Sequence, residues 1–495
     1  MGLLDKIKDK VSSSSSGQAH FAPPSAPPSS ADIPRYRKQR GVNLGAWFVQ
    51  EPFFNSDVFR NAEQPKGSDL DIAKGKDAKA ILERHWDSWI TDEDWKWIKE
   101  RGFNSVRIPI GYYHLAAPCP EVLNHTDFEP YRDVFSGAWP RIEKAIQTAA
   151  SHGLGVLVDL HGAAGGQNTQ GHSGTSAGQA KLWSKDAHLK STSAALRFLA
   201  SHLHSNLSVV GLQLINEPED NRALEGWYKS ILSELRSIVP AEFPLYVGDA
   251  WNADKFASWV GSRGDFVVLD THVYRAFTDG DKRMTGEQHA HKLRTQDTND
   301  FGRQSEAAKG SLVVCEWSGA LDHGIYGNAP DTEKDRQSRM FVAAELEVFE
   351  KHMAGWWWWT YKSVNWMAGW SARNASQAEI LPAKLSRSYK GPPPQGKKDQ
   401  ALNQAHESHK SYWASHGGSP NPAVFAPGFS KGWDDALMFL TAPGGPHEMG
   451  FIHQWASRRM VEYEAGQGQL GKAAWEWEHG FAQGVKECGD ACLAW

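Results

Sequence analysis

The chain has 495 residues, 40% of them hydrophobic and 22% charged, enough to bury the core of one large domain or of two or three average ones. A net charge of -5 gives no broad positive field, so nothing electrostatic favours a nucleic acid or an anionic membrane, and a neutral substrate fits better. The four cysteines (Cys119, Cys315, Cys488, Cys492) are too few and scattered for a disulfide framework and read as reduced thiols.

The chain opens on Met-Gly-Leu-Leu and meets Asp5 and Lys6 before an apolar signal segment can form. No later run approaches a membrane span, so a cytoplasmic protein without stable membrane insertion is expected. Leu3, Leu4, Ile7 and Val11 mark one face of a short helical stretch, which reads as a solvated terminus. The following stretch to residue 34 is Ser, Pro and Ala with hardly any large apolar side chain. It cannot offset its ordering entropy, so residues 1–34 are expected to be a disordered tail.

From Arg40 to Lys362 short apolar runs alternate with longer stretches of helical period, the pattern of parallel βα units. The runs are 41–47, 103–109, 154–160, 209–215, 245–249, 266–272, 311–316 and 355–359. Between them Thr91 can cap a helix carrying Trp95 and Ile98 before Gly102, and 139–150 and 331–351 have helical period and length. Eight strands alternating with helices imply an α/β chain, a (β/α)8 TIM barrel over 35–372. Beyond it, 391–398 reads as an exposed connector, and 432–440 and 447–464 resume helical period before the Trp-rich stretch 475–479. Residues 373–495 are therefore expected to form a mainly helical extension packed on the barrel's outside or rim.

In such a barrel catalytic groups sit at the carboxyl ends of strands, where Arg107, His161, Asn216 with Glu217, His272 with Tyr274, and Glu316 fall. Glu217 closes Val-Val-Gly-Leu-Gln-Leu-Ile-Asn-Glu-Pro, and Glu316 closes Ser-Leu-Val-Val-Cys-Glu-Trp. Two carboxylates presented this way suggest glycoside hydrolysis, in which one protonates the leaving oxygen and the other attacks or stabilises an oxocarbenium-like carbon. Glu316 stands where burial of a charge without purpose is costly. Arg107 can hold such a carboxylate bidentately and keep it ionised, the alternative being a salt bridge at the barrel rim. Twenty-three Trp exceed ordinary core needs and suit stacking on sugars, although any single one is more often core.

The stretches Arg-Gly-Val-Asn-Leu-Gly-Ala-Trp-Phe-Val-Gln-Glu-Pro (40–52), Arg-Ile-Pro-Ile-Gly-Tyr (107–112) and Asp-Leu-His-Gly-Ala-Ala-Gly-Gly-Gln-Asn (159–168) carry a resemblance. It continues through Leu-Ile-Asn-Glu-Pro (214–218), His-Val-Tyr (272–274), Glu-Trp-Ser-Gly-Ala-Leu (316–321) and Trp-Thr-Tyr-Lys (359–362). Over this span the chain resembles glycoside hydrolase family 5, specifically the fungal exo-β-1,3-glucanase (glucan 1,3-β-glucosidase) branch. Secreted members carry a signal peptide and disulfides, so this chain is more similar to intracellular-type relatives. Unconventional export to the cell wall or medium is the alternative to a cytoplasmic location.

The resemblance implies a retaining double displacement with Glu316 as nucleophile and Glu217 as acid/base, their carboxyls about 5 to 5.5 Å apart. It also implies that Arg107, His161, Asn216, His272 and Tyr274 surround that pair, with Asn216 on the sugar 2-hydroxyl. Trp359 would underlie the reacting glucose and Glu51 would grip it. No metal or organic cofactor is implied, the partner is a β-glucan or β-glucoside, and the oligomeric state is left open. The expected reaction is release of glucose from β-1,3-glucan or its oligosaccharides. The alternatives are the same chemistry on β-1,6-glucan or a glucosylated lipid, and an inactive carbohydrate-binding barrel, which the presence of both carboxylates disfavours.

Overall fold

Eight β-branched and aromatic runs form parallel strands: β1 (Gln39–Asn43), β2 (Ser105–Gly111), β3 (Gly155–Gly162), β4 (Val209–Gln213), β5 (Leu245–Gly248), β6 (Val267–Val273), β7 (Leu312–Trp317) and β8 (Gly355–Trp358). In this computed structural model, which describes residues 20–25, 28–416 and 420–495, they hydrogen-bond in chain order. The barrel closes through the parallel register Gly41↔Trp357 between β1 and β8. Each predicted run holds a strand, with shifted ends. β1 occupies 39–43 rather than 41–47, because its ladder starts at Gln39↔Gly355 and the chain turns away by Ala46, whose φ is 51°.

The barrel is filled by side chains, and two close approaches decide which. A Cβ on Gly41 would stand 2.0 Å from the Trp357 ring, and one on Gly211 would stand 2.3 Å from the Tyr246 ring. Both positions are occupied by glycine, so the two aromatic rings enter the interior and meet edge to face at 6.3 Å. Outside lie amphipathic helices such as Asp92–Glu100, Ala138–Ser151 and Asp331–His352. Thr91 starts the first of these in a capping box with Asp94.

The C-terminal region is helical, with Lys397–Ser415, Pro422–Thr441, Ile452–Gln467 and Ala474–Cys492. The first of these was not predicted, because only Ala401 and His409 are buried along it and its apolar stripe is faint. Gly428 and Gly432 face the carbonyls of Trp477 and Phe481, and Gly480 and Gly484 face those of Phe425 and Phe429. Added Cβ atoms would come within 2.1–2.3 Å of those oxygens, so these two helices cross with backbones in contact.

This region covers the end of the barrel where the strands begin, not its rim. Lys38 N–H donates to the Glu448 carbonyl at 2.6 Å, and Gly450 N–H to that of Tyr36 at 2.9 Å. Phe266 meets Phe451 at 5.0 Å, and Tyr36 meets Trp455 at 5.0 Å. One apolar cluster runs from Tyr246 and Trp357 inside the barrel to Phe429, Trp433 and Trp477.

The expected disorder of 1–34 is corrected where residues are described. Phe21 packs 6.5 Å from Phe266, Arg458 donates to the Ala22 carbonyl at 3.0 Å and pairs with Asp32 at 2.6 Å, and Asp32–Tyr36 is helical. An aromatic anchor and a buried ion pair supply what composition lacks there; the expectations for 1–19 lie outside the described residues. All four cysteines are buried and unpaired. Among the described residues no helix is long and apolar enough to cross a membrane.

Candidate active site

Side chains two apart on a strand share a face, so Asp159 and His161 on β3, and Asp270 and His272 on β6, project from the same sides of their strands. Arg107 of β2 is fully buried at the centre. It donates to Glu316 Oε1 at 2.7 Å, Asn216 Oδ1 at 2.7 Å, Asn43 Oδ1 at 2.9 Å and Gln213 Oε1 at 2.8 Å, and pairs with Asp159 at 3.0 Å. Burial pulls this guanidinium down, but Asp159 and Glu316 more than reverse that, so it stays a cation.

Cys315 belongs to the cluster inside the barrel, so strict alternation would turn Glu316 outward. A register step between Thr271 and His272 instead sets His272 opposite Glu316. Glu316 Oε2 accepts the Tyr274 hydroxyl at 2.7 Å. After β4 the chain turns sharply, with Glu217 at φ 40°, a conformation costing a side-chain-bearing residue about 1–3 kcal/mol. Asn168 holds the turn through the Glu217 carbonyl at 2.8 Å.

Glu217 Oε1 lies 2.8 Å from His272 Nδ1, whose other nitrogen meets Asp270 Oδ2 at 3.0 Å. His172 Nε2 stands 3.3 Å from Glu217 Oε2. Burial pushes Glu217 up, yet the hydrogen bond from His272 and the charge of that imidazole bring it down to about 2. Burial likewise pulls His272 down, but Glu316 and Asp270 hold it well above the ordinary imidazole range. The Glu217–His272 pair thus holds one proton, resting on the imidazole. Burial lowers His161 to about 3, leaving a neutral ring that bonds Asp159 at 2.7 Å and stacks on Trp359 at 5.6 Å.

A cavity of about 470 Å³ opens over these groups, lined by Glu51, Phe54, Glu217, Tyr274, Glu316 and Trp359, with Trp370 on its wall. Glu51 Oε1 is buried there without a hydrogen-bond partner among the described residues. Burial first, then the charges of Glu316, Glu217 and Asp69, push its carboxyl well above the usual range. One donor atom each of Glu217, His272 and Glu316 lie within 4.8 Å of one another. Among the described residues only this trio could hold a metal ion, and its members are already engaged with each other, Arg107 and Tyr274. The spacing gives two carboxylates with distinct partners facing one space.

All nine residues predicted for the site converge here. Those missed are Asn43, Gln213, Asp159, Asp270, Asn168, His172 and Trp370. The Asp-x-His spacing in β3 and β6 signals two of them. His172 and Trp370 lie in loops, where no periodicity points to them.

The family described as "Cellulase (glycosyl hydrolase family 5)" matches residues 73–365, and "Glucan 1,3-beta-glucosidase 3 C-terminal domain" matches 394–492. The Schizosaccharomyces pombe protein named Glucan 1,3-beta-glucosidase 3 is 31% identical over 91% of this chain and 94% of its own length. A Probable glucan 1,3-beta-glucosidase A of Aspergillus clavatus is 31% identical over 69% of this chain and 87% of its own. A solved rutinosidase from Aspergillus niger superposes with a TM-score of 0.52 at 19% identity over 69% of this chain and 94% of its own, a likeness of fold. With strands β2 to β8 of its barrel matched, its C-terminal region matched in turn and a 31% identical relative aligned over 91% of it, the chain belongs to glycosyl hydrolase family 5 and is a glycoside hydrolase.

Proposed function

We propose that the protein releases glucose from the ends of β-1,3-glucan or its oligosaccharides by retaining double displacement, with Glu316 as nucleophile and Glu217 as acid/base. The observation that carries this reading is the approach of the two carboxylates over one cavity, an oxygen of each within 4.8 Å of the other. Such a nearest-oxygen approach suits the retaining arrangement, with carboxyls about 5–5.5 Å apart, better than the about 6.5–9.5 Å that admits water for inversion.

In the first step Glu316, held by Arg107 on one oxygen and Tyr274 on the other, attacks the anomeric carbon. The proton kept between His272 and Glu217 passes through Glu217 to the leaving oxygen, and the glycosidic C–O bond breaks. In the second step Glu217 takes a proton from water, whose oxygen displaces Glu316 and returns β-glucose. Asn216 bonds the 2-hydroxyl, Trp359 carries the sugar's apolar face, and Glu51 offers its unpartnered oxygen to a hydroxyl of the terminal glucose. The relatives named glucan 1,3-beta-glucosidase support the substrate. The four unpaired cysteines support a cytoplasmic place of action.

Incubation with laminarioligosaccharides, followed by NMR, tests this: stepwise release of β-glucose is expected. First appearance of α-glucose would refute retention, and glucose release from β-1,6-glucan or a glucosylated lipid alone would refute the substrate.

A further inference from the structure

Trp370 is a wall of two cavities. One face closes the catalytic space beside Tyr274, at 5.5 Å between rings. Trp370 also lines a second groove of about 430 Å³, together with Trp366, Asp331, Lys334, Asp335 and Ser338. Trp366 is 64% exposed and presents its ring at this groove. The turn that presents it is fixed at both ends: Trp370 and Ser371 N–H donate to the Met367 carbonyl at 2.9 and 2.8 Å. Met367 N–H donates to Asn374 at 3.0 Å, and the Trp370 carbonyl accepts from the Trp358 indole at 2.7 Å.

We infer that this groove is a second sugar-binding site, which takes glucosyl units of the substrate chain distant from the bond being cut. The inference rests on the proposed glucan substrate. A flat exposed indole offers a face for the C–H side of a pyranose, and carboxylates and an ammonium group bond ring hydroxyls. The Asp335 carboxylate has no hydrogen-bond or ion-pair partner among the described residues, so its oxygens are available to such hydroxyls. The mix of both charges around one indole suits a neutral polyhydroxylated ligand rather than an anion or an apolar protein face. The shared Trp370 gives the occupant: a chain held at the catalytic cavity that passes over this ring reaches the groove. Two weak contacts on one chain then act together through effective concentration.

The full-length Trp366→Ala protein tests the site against a soluble β-1,3-glucan polymer and an aryl β-glucoside. KM for the polymer is expected to rise about fivefold relative to that for the aryl glucoside, the scale of one aromatic contact. Native electrophoresis of the Glu316→Gln protein in gels containing the polymer gives a readout without turnover; retardation should weaken when Trp366→Ala or Asp335→Asn is added. An unchanged KM ratio with unchanged retardation would overturn the groove, and so would an equal loss on both substrates. A parent protein that cleaves the aryl glucoside but not β-1,3-glucan would overturn the substrate reading instead. In that event retardation by β-1,6-glucan that depends on Trp366 supports the groove, and retardation independent of Trp366 rejects it.

Discussion

In the proposed acid/base role, Glu217 gives up a proton in one step and takes one in the next, while its surroundings hold it near 2. Its hydrogen bond to His272 reconciles the two demands by storing the proton 2.8 Å away. Glu217→Gln should lower turnover of unactivated glucosides by about 10²–10⁴-fold. It should retain glucosylation by an aryl glucoside with a good leaving group, and added azide should then give β-glucosyl azide; no azide product would reject the assignment. Glu316→Gln should lose at least ~10³-fold on every substrate, including activated ones. The pH profile separates His272 from a packing role. His272 is raised in the folded site, so the shared proton, and with it activity, is lost only as pH rises through that elevated value. In His272→Gln the basic limb of kcat/KM should move to lower pH, and an unmoved limb would contradict proton storage.

Elements place these residues through features that differ in how far they reach along the chain. A helix start such as Thr91 with Asp94 is a local signal and is legible in the sequence, as are the strand runs. The register step that brings Glu316 across from His272 depends on pairing between β6 and β7 and leaves no mark in either strand alone. The same holds for the helices Pro422–Thr441 and Ala474–Cys492, whose glycines reveal their purpose only when set against each other. Gly432→Leu would drive a side chain into the Phe481 carbonyl and should cost on the order of 3 kcal/mol. Thermal unfolding checks this, and a melting temperature equal to the parent's would show that the helices can separate freely.

At the scale of the whole molecule, the barrel's two ends differ: the candidate site lies where the strands finish, and the C-terminal helices close the end where they begin. Arg40 ties that closure, donating to Glu350 at 2.7 Å and to Glu448 at 2.6 Å. Burial pushes Glu350 up, but Arg40 and Lys38 bring it down to about 2, and Glu448 is lowered in the same way. A depressed carboxylate contributes stability that is present above its unfolded value of about 4.3 and is lost as pH falls toward its folded one. Arg40→Met leaves two largely buried carboxylates with Lys38 and Arg387 alone and should cost about 1–3 kcal/mol at neutral pH. Its acid unfolding, followed by circular dichroism, should begin at higher pH than the parent's; superimposable acid transitions would exclude this role.

By itself the sequence determined the alternation of strands and helices, the barrel it builds, and the residues at strand ends that meet over the catalytic cavity. Strand-end position is a local property: once the runs are found, His161, Glu217 and His272 fall toward one mouth, whereas Glu316 faces it only through the register step between β6 and β7. Only the tertiary structure decided which end the C-terminal helices close, how Phe21 and Asp32 anchor residues once read as tail, and that Trp370 separates two cavities. Those outcomes rest on contacts between segments distant in sequence, formed by packing and buried ion pairs that no window of neighbouring residues encodes.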